Sequence, residues 1–409
     1  MAAQAKVASR DVAQLTTTQK NQLLTAMASE IEAQSQFIIN ENQKDIDAGR
    51  AKGLTEAMLD RLLLTPQRIT DIADAIREIV TLQDPVGDIS NLSLRPNGMQ
   101  VGKMRIPLGV ISMIYEARPN VTAESAALCI KSGNAVILRG GSEAIHSNLA
   151  LANCLHKTME ANGINKNIVS VIPDTSREVI EQLLKQRDNI DLVIPRGGEG
   201  LIRYVTENSQ IPVIQHFKGV CHLFIDKFAD LDKATNILVN GKTQRPSACN
   251  SIETVLVHKD IAEQFLPLAA QALKPANVKI HACEHSIKYF DSAELATKDD
   301  FHAEYLAQEI AIKIVDGFNS AINHINEYTS DHTEVIVTQD TSRSQQFIRQ
   351  INSSVVMVNA SSRFSDGGQL GLGSEIGIST SKLHAYGPMG LASLTTEKFV
   401  VYGDGQVRD

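Results

Sequence analysis

The sequence predicts an α/β protein with two parallel-sheet regions and a small β hairpin. Three observations carry this reading. From residue 110 onward, short continuous apolar runs alternate with helical segments, the pattern of strands covered on both faces by crossover helices. A second such series begins near 240. Between 86 and 109, alternating apolar residues surround Pro96-Asn97-Gly98, which is a hairpin signal. The chain has 409 residues, enough for two or three domains, and its 43% hydrophobic and 21% charged residues are ordinary for a globular protein. Trp is absent and aromatic residues are only 4%, so the cores must rest on Leu, Ile, Val and Ala.

The first 80 residues read as a covering helical layer. Thr16 to Thr18 can cap a helix carrying Leu23, Leu24, Met27 and Ile31. Further helical stretches include Met58, Leu62 and Leu63 before Pro66, and then 69–82. After the hairpin, strands are expected at 109–114, 135–138, 169–172, 192–194 and 213–214, with helices at 123–131, 147–161 and 176–187 and a short one after Gly200. Strand, helix and strand in this order make a Rossmann-type nucleotide domain. The second series offers strands at 253–257, 277–281, 310–315, 334–338 and 354–358, with helices at 260–273, 317–328 and 341–351. A strand at 398–402 is expected to complete the hairpin region. A lone hairpin is marginal in water, so it is expected to lean on another subunit.

The formal charge is -8, and no Lys/Arg cluster tracks a phosphate backbone, so nucleic acid is not an expected partner. No window approaches 18 apolar residues, and the first 15 residues lack the apolar run of a signal peptide. No membrane partner and a cytoplasmic location are therefore expected. The five cysteines, at 129, 154, 221, 249 and 283, are odd in number and widely spaced, which fits a reducing compartment better than a disulfide framework.

Cys249 lies in a polar connector, Gly241-Lys-Thr-Gln-Arg-Pro-Ser-Ala-Cys-Asn250, between a helix and a strand. Such a thiol can meet a ligand, and the nearby Arg245 favours the thiolate. The alternative for any free cysteine is an inert buried hydrophobe, which suits Cys129 and Cys154 among their apolar neighbours. His281-Ala-Cys283-Glu-His285 places alternate residues on one side of a strand, but no fourth ligand is evident. An exposed strand end is the preferred reading there, and no metal site is expected. Arg196-Gly197-Gly198-Glu199-Gly200 follows a strand and opens a helix, the context for a phosphate or ribose approaching bare backbone. A tight strand–helix turn explains it equally well. Gly371-Leu-Gly373-Ser-Glu-Ile-Gly377 has the wrong spacing for a dinucleotide fingerprint.

Around Cys249 and along most of the chain after residue 100, the sequence resembles the aldehyde dehydrogenase superfamily, and within it the γ-glutamyl phosphate reductase family. The stretches that carry the likeness are Pro107-Leu-Gly-Val-Ile-Ser-Met-Ile-Tyr-Glu-Ala-Arg-Pro-Asn-Val-Thr122, Leu138-Arg-Gly-Gly-Ser-Glu143 and Ile194-Pro-Arg-Gly-Gly198. They continue with Gln215-His-Phe-Lys-Gly219, Gln244-Arg-Pro-Ser-Ala-Cys-Asn250, Val358-Asn-Ala-Ser-Ser-Arg-Phe364 and His384-Ala-Tyr-Gly-Pro-Met-Gly390.

The resemblance implies an aldehyde dehydrogenase-like fold. Its expected parts are an NADP-binding domain at 1–85 and 105–235, a catalytic domain at 236–385, and a β oligomerisation element at 86–104 and 390–409. It implies an NADPH-dependent reduction of L-glutamyl 5-phosphate to L-glutamate 5-semialdehyde in proline biosynthesis. Cys249 would be the nucleophile. Asn120 would be an oxyanion-binding amide, where a plain reading of the residues prefers a helix cap.

Arg139 and Ser142 stand where the superfamily often has Lys and Glu. Without that Glu, a 2′-phosphate is accommodated and NADP(H) is favoured. Gly197 and Gly198 join the cofactor set, and Glu304 aligns loosely with a residue that holds the nicotinamide ribose. Arg245, Lys242, Asn359 and Arg363 are candidates for substrate phosphate and carboxylate, against surface ion pairing as the alternative. The stretch His216-Phe-Lys-Gly219 lacks the Glu base of thioester-hydrolysing relatives, as a reductive enzyme requires. His216 reads as a structural histidine with proton donation as the alternative.

A homodimer or larger homo-oligomer is expected, together with a functional link to glutamate 5-kinase. Two other readings stay open: another acylating or oxidising NAD(P)-dependent aldehyde dehydrogenase, and a non-catalytic nucleotide-binding protein.

Overall fold

A computed structural model describes residues 1–408. The chain divides into two compact units: Met1–Gln215 with Leu372–Ile378 and Met389–Asp409, and His216–Gly371 with Ser379–Pro388.

In the first unit, five helices precede any strand: Ala2–Val12, Thr17–Ala33, Ser35–Ala51, Glu56–Leu62 and Pro66–Thr81. Thr16 closes a capping box with Gln19 at the start of the second. The helix Ser35–Ala51 falls within the helical layer expected over the first 80 residues, which drew no bounds for it; its apolar positions are few, with only Ile38 and Ile46 among its buried side chains strongly hydrophobic. The unit's parallel sheet has the order Val169–Val171, Ala135–Gly140, Val110–Tyr115, Leu192–Arg196. A bridge from Val193 adds Val213 beside the last strand. Val110, Ile114, Ile137 and Val193 pack with Val205 and Leu184 in one core cluster. The first strand of this sheet in chain order, Val110–Tyr115, is thus interior, and the order reverses between it and Leu192–Arg196, which makes a switch point of the Rossmann kind.

The expected hairpin is present. Ile89–Leu94 pairs antiparallel with Gln100–Pro107, and Thr395–Tyr402 pairs with the other side of Gln100–Pro107. This three-stranded sheet leaves Leu92, Leu94, Phe399, Val401 and Tyr402 exposed.

The second unit holds an all-parallel, seven-stranded sheet. Its order is Glu294–Leu295, Lys279–Ala282, Glu309–Val315, Ile252–His258, Cys221–Ile225, Thr333–Val337, Val355–Val358. Alternate side chains serve two cores. Leu223, Ile225, Val255 and Val257 face a cluster with Phe265 and Leu266. Phe224, Leu256 and Ile336 face another with Phe318 and Phe347. The interior strand Cys221–Ile225 was not anticipated. It hydrogen-bonds to Ile252–His258 on one side and Thr333–Val337 on the other. The expected border at 235/236 therefore moves to 215/216, because five residues that pair in the second sheet cannot belong to the first.

Candidate active site

The helix Leu231–Thr243 delivers the chain to the amino edge of the second sheet, and the connector 244–251 turns it into Ile252–His258. Two turn bonds shape that connector: Ala248 N–H donates to Arg245 O (3.1 Å) and Ser251 N–H to Ala248 O (2.9 Å). Asn250 fastens it, with Nδ2 donating to Ser365 O (2.8 Å) and its carbonyl accepting from Ser362 Oγ (2.5 Å). Cys249 is half-buried here, whereas Cys129, Cys154 and Cys221 are buried. Burial raises the thiols of Cys129 and Cys221 well above the usual range and that of Cys154 to about 11, so all three stay protonated and unreactive.

Two neighbours fix the Cys249 backbone. The buried Cys221 thiol donates to Cys249 O (3.3 Å). Gly219 lies so close that a Cβ there would collide with the Cys249 carbonyl. The Gly219 N–H is in turn held by Glu304 Oε1 (2.7 Å). Glu304, expected on the cofactor, thus supports the loop beneath the thiol. Gly219 was visible only as the end of a motif, and its role depends on a contact 30 residues distant in sequence.

Charge collects beside the sulfur. Arg363 is half-buried, and its Nε donates to Gln244 Oε1 (2.7 Å). Burial and the neighbouring Arg245 pull its guanidinium below the usual value, while attraction to the Cys249 sulfur works the other way. The structure therefore brings Cys249, Arg245 and Arg363 together. It does not bring Lys242, which is fully buried in an ion pair with Glu253 (2.7 Å). Nor does it bring Asn359, which follows the carboxyl end of Val355–Val358. There its Oδ1 accepts from Thr338 N–H (3.0 Å) and its Nδ2 donates to Thr338 O (2.8 Å). Cys249 precedes the amino end of its strand, so the two lie at opposite edges of one parallel sheet.

The exposed strand end expected at 281–285 also needs correction. His281 is buried rather than exposed, and its ring nitrogens meet Asp300 (3.1 Å) and Glu309 (2.5 Å). Cys283 instead accepts from Ser286 Oγ (3.2 Å) and Ile314 N–H (3.4 Å). A different set, His216, Cys249 and His332, places one ring nitrogen of each histidine and the sulfur within 4.8 Å of one another.

In the first unit, the candidates gather at the carboxyl edge of the sheet. Arg139 is the last but one residue of its strand, and its Nη2 donates to Thr175 O (2.5 Å) while, among the described residues, its buried Nε has no hydrogen-bond partner. Ser142 is exposed, and Glu143 is turned inward to accept from Ala117 N–H (2.6 Å). Gly198 caps the helix Glu199–Asn208, and its N–H donates to Glu116 Oε2 (3.0 Å). A Cβ on Gly197 would collide with that carboxylate. Asn120 is the first residue of the helix Asn120–Lys131, whose cap position is Pro119. It is therefore not the cap; its Nδ2 donates one turn ahead to Glu124 (3.1 Å).

A model of the aldehyde dehydrogenase family matches residues 1–286. The chain is 74% identical to a gamma-glutamyl phosphate reductase of Colwellia psychrerythraea over 100% of this chain and 98% of that one. The chain belongs to the aldehyde dehydrogenase family, in its gamma-glutamyl phosphate reductase branch. It is accordingly an oxidoreductase. A gamma-glutamyl phosphate reductase of Idiomarina loihiensis is 60% identical over 98% of this chain and 96% of its own length. Among solved structures, the gamma-glutamyl phosphate reductase of Thermotoga maritima matches with a TM-score of 0.98 at 40% identity, covering 100% and 99% of the two chains. An acetylating aldehyde dehydrogenase of Geobacillus thermoglucosidasius, at 16% identity and a TM-score of 0.70 over 99% and 96% of the two chains, shares the fold of this family. Among the described residues, no helix is long and apolar enough to cross a membrane.

Proposed function

We propose that this enzyme reduces L-glutamyl 5-phosphate to L-glutamate 5-semialdehyde and phosphate with NADPH, through a thioester on Cys249. The observation that carries the reading is the half-buried Cys249 sulfur beside Arg363 and Arg245, in a chain whose full-length relatives are named for this substrate. The Cys249 thiolate attacks the γ-carbonyl carbon, the carbon–oxygen bond to phosphorus breaks, and phosphate leaves with the electron pair. Two guanidiniums suit that dianion, since planar forks bind phosphate in paired hydrogen bonds. When bound, NADPH supplies the hydride that converts the thioester into the aldehyde. Asn120 is the amide proposed for the developing oxyanion. Regenerated thiolate completes the cycle, and no general base for water is needed.

For the cofactor, the order of the first sheet fits a dinucleotide at its switch point. The unpartnered Arg139 Nε is a donor suited to a 2′-phosphate, and Glu143 is committed to Ala117 rather than facing a ribose. These features support NADP(H) over NAD. Gly197 and Gly198 complete the proposed cofactor set. The exposed apolar residues of the three-stranded sheet support assembly into a homo-oligomer. The place of action is the cytoplasm, and the functional partner is glutamate 5-kinase, the supplier of the acyl phosphate.

The experiment runs the reaction backwards. With glutamate semialdehyde, NADP reduction should appear only when phosphate is supplied, and NAD should serve poorly. Equal rates without phosphate would assign the chain to a simple oxidising aldehyde dehydrogenase instead.

A further inference from the structure

The amino edge of the second sheet gathers a thiol and two imidazoles, and nothing in the proposed reaction uses the imidazoles. His332 is fully buried immediately before the strand Thr333–Val337. Its Nδ1 meets Thr333 Oγ1 (2.7 Å), and that hydroxyl gives its own hydrogen to Ser365 Oγ (2.8 Å). Thr333 therefore accepts from His332, Nδ1 carries the proton, and Nε2 is left with its lone pair. Among the described residues Nε2 has no hydrogen-bond partner, although it is buried. An unsatisfied buried nitrogen costs about 1–3 kcal/mol, so its retention needs a reason.

The neighbours supply one. The His216 ring lies 4.9 Å from the His332 ring, centroid to centroid. One nitrogen of each and the Cys249 sulfur lie within 4.8 Å of one another. Zinc bonds to thiolate at about 2.3 Å and to imidazole at about 2.0–2.1 Å, which sets tetrahedral ligand atoms roughly 3.4–3.6 Å apart. Side-chain rotations moving each atom by about 1 Å are enough to reach that spacing. The Thr333–Ser365 relay is also the outer-shell arrangement that ligating histidines use, with the second ring nitrogen donating to an oxygen.

We propose that Cys249, His216 and His332 form a site for a thiophilic divalent cation, with zinc as the best fit, and that occupancy masks the nucleophile. On binding, the Cys249 thiol loses its proton to solvent, sulfur and the two imidazoles donate their lone pairs, and a water takes the fourth position. The masked sulfur no longer attacks an electrophile, and a chelator restores it. Metal binding at the trio is independent of the reaction proposed above, and neither readout below uses turnover.

The test uses the full chain, stripped of metal. The carbamidomethylation rate of Cys249 is followed by peptide mass spectrometry against buffered zinc, with magnesium as control. Zinc should slow alkylation of Cys249 at least about tenfold while magnesium does nothing, and His332→Gln or His216→Gln should raise the zinc needed by about tenfold or more. Cobalt substitution should give the wild type intense visible bands of a tetrahedral ion and a sulfur-to-cobalt transition, lost in Cys249→Ser. Unchanged zinc protection in both histidine variants overturns the site. If the buried His332 variant fails to fold, His216→Gln and the cobalt spectrum decide, and a pale six-coordinate spectrum without the sulfur band sinks the proposal.

Discussion

The two edges of the second sheet behave differently. At the amino edge, the loops before three neighbouring strands bring Gly219, Cys249 and His332 together, with a half-buried thiol and two nearby guanidiniums. At the carboxyl edge, Asn359 is consumed by two hydrogen bonds to Thr338, and Thr338 Oγ1 donates to the buried Asp226 (2.8 Å). The polar groups there mainly satisfy one another. Ligands of open α/β sheets generally sit beyond the carboxyl ends of the strands. The first unit's candidates follow that rule, and Cys249, the second unit's candidate nucleophile, does not. Which edge carries chemistry is decided by where a polar side chain is left able to meet a ligand.

Perturbing what lies beneath the connector should have the largest effect. Lys242→Met strands the Glu253 carboxylate in a fully buried position, so a loss of about 3–5 kcal/mol of stability is expected in urea unfolding. Adding Glu253→Leu should recover most of it. The same pair gives a pH signature. Burial pushes the Glu253 carboxyl up from 4.5 to about 7, so the folded protein binds that proton more tightly than the unfolded chain. Its contribution is complete below pH 4.5 and lost as pH rises toward 7. Thermal midpoints of wild type should accordingly decline over that window relative to Glu253→Gln.

Next comes the position of the thiol. Gly219→Ala forces the Cys249 carbonyl to move, and a displacement near 1 Å should lower kcat about a hundredfold. A Gly219→Ala enzyme with wild-type kcat would show that the contact does not position the nucleophile. The smallest effect is expected at the other edge. Asn359→Ala should cost about 1–3 kcal/mol of stability yet leave KM for the acyl phosphate within about twofold of wild type, because the amide is spent on Thr338. A large rise in KM would return Asn359 to the substrate.

Much of the secondary structure was legible because periodicity is local. The strands Ile252–His258, Glu309–Val315 and Thr333–Val337 stand within a residue or so of expectation. Cys221–Ile225 was passed over because Cys-His-Leu-Phe-Ile is short and opens with two polar-capable residues. The same segment becomes a strand by pairing on both sides, a condition invisible in five residues. The helix Ser35–Ala51 lies in the expected helical layer, but its bounds are hard to read because its buried face includes Asn42, Asp45 and Gly49. Asn42 is held by Leu62 O and Leu64 N–H, partners supplied by the fold.

The sequence by itself determined the α/β class, the hairpin and the family, and it singled out Cys249 as the candidate among five cysteines, since a polar connector between a helix and a strand is readable from residue types in order. The tertiary structure alone decided that Lys242 pairs with Glu253 and Asn359 with Thr338, that Glu304 holds Gly219 against the Cys249 loop, and that His216 and His332 share its edge of the sheet. Those facts depend on which loops a parallel sheet places side by side, and strand order is set by the packing of distant segments rather than by spacing along the chain.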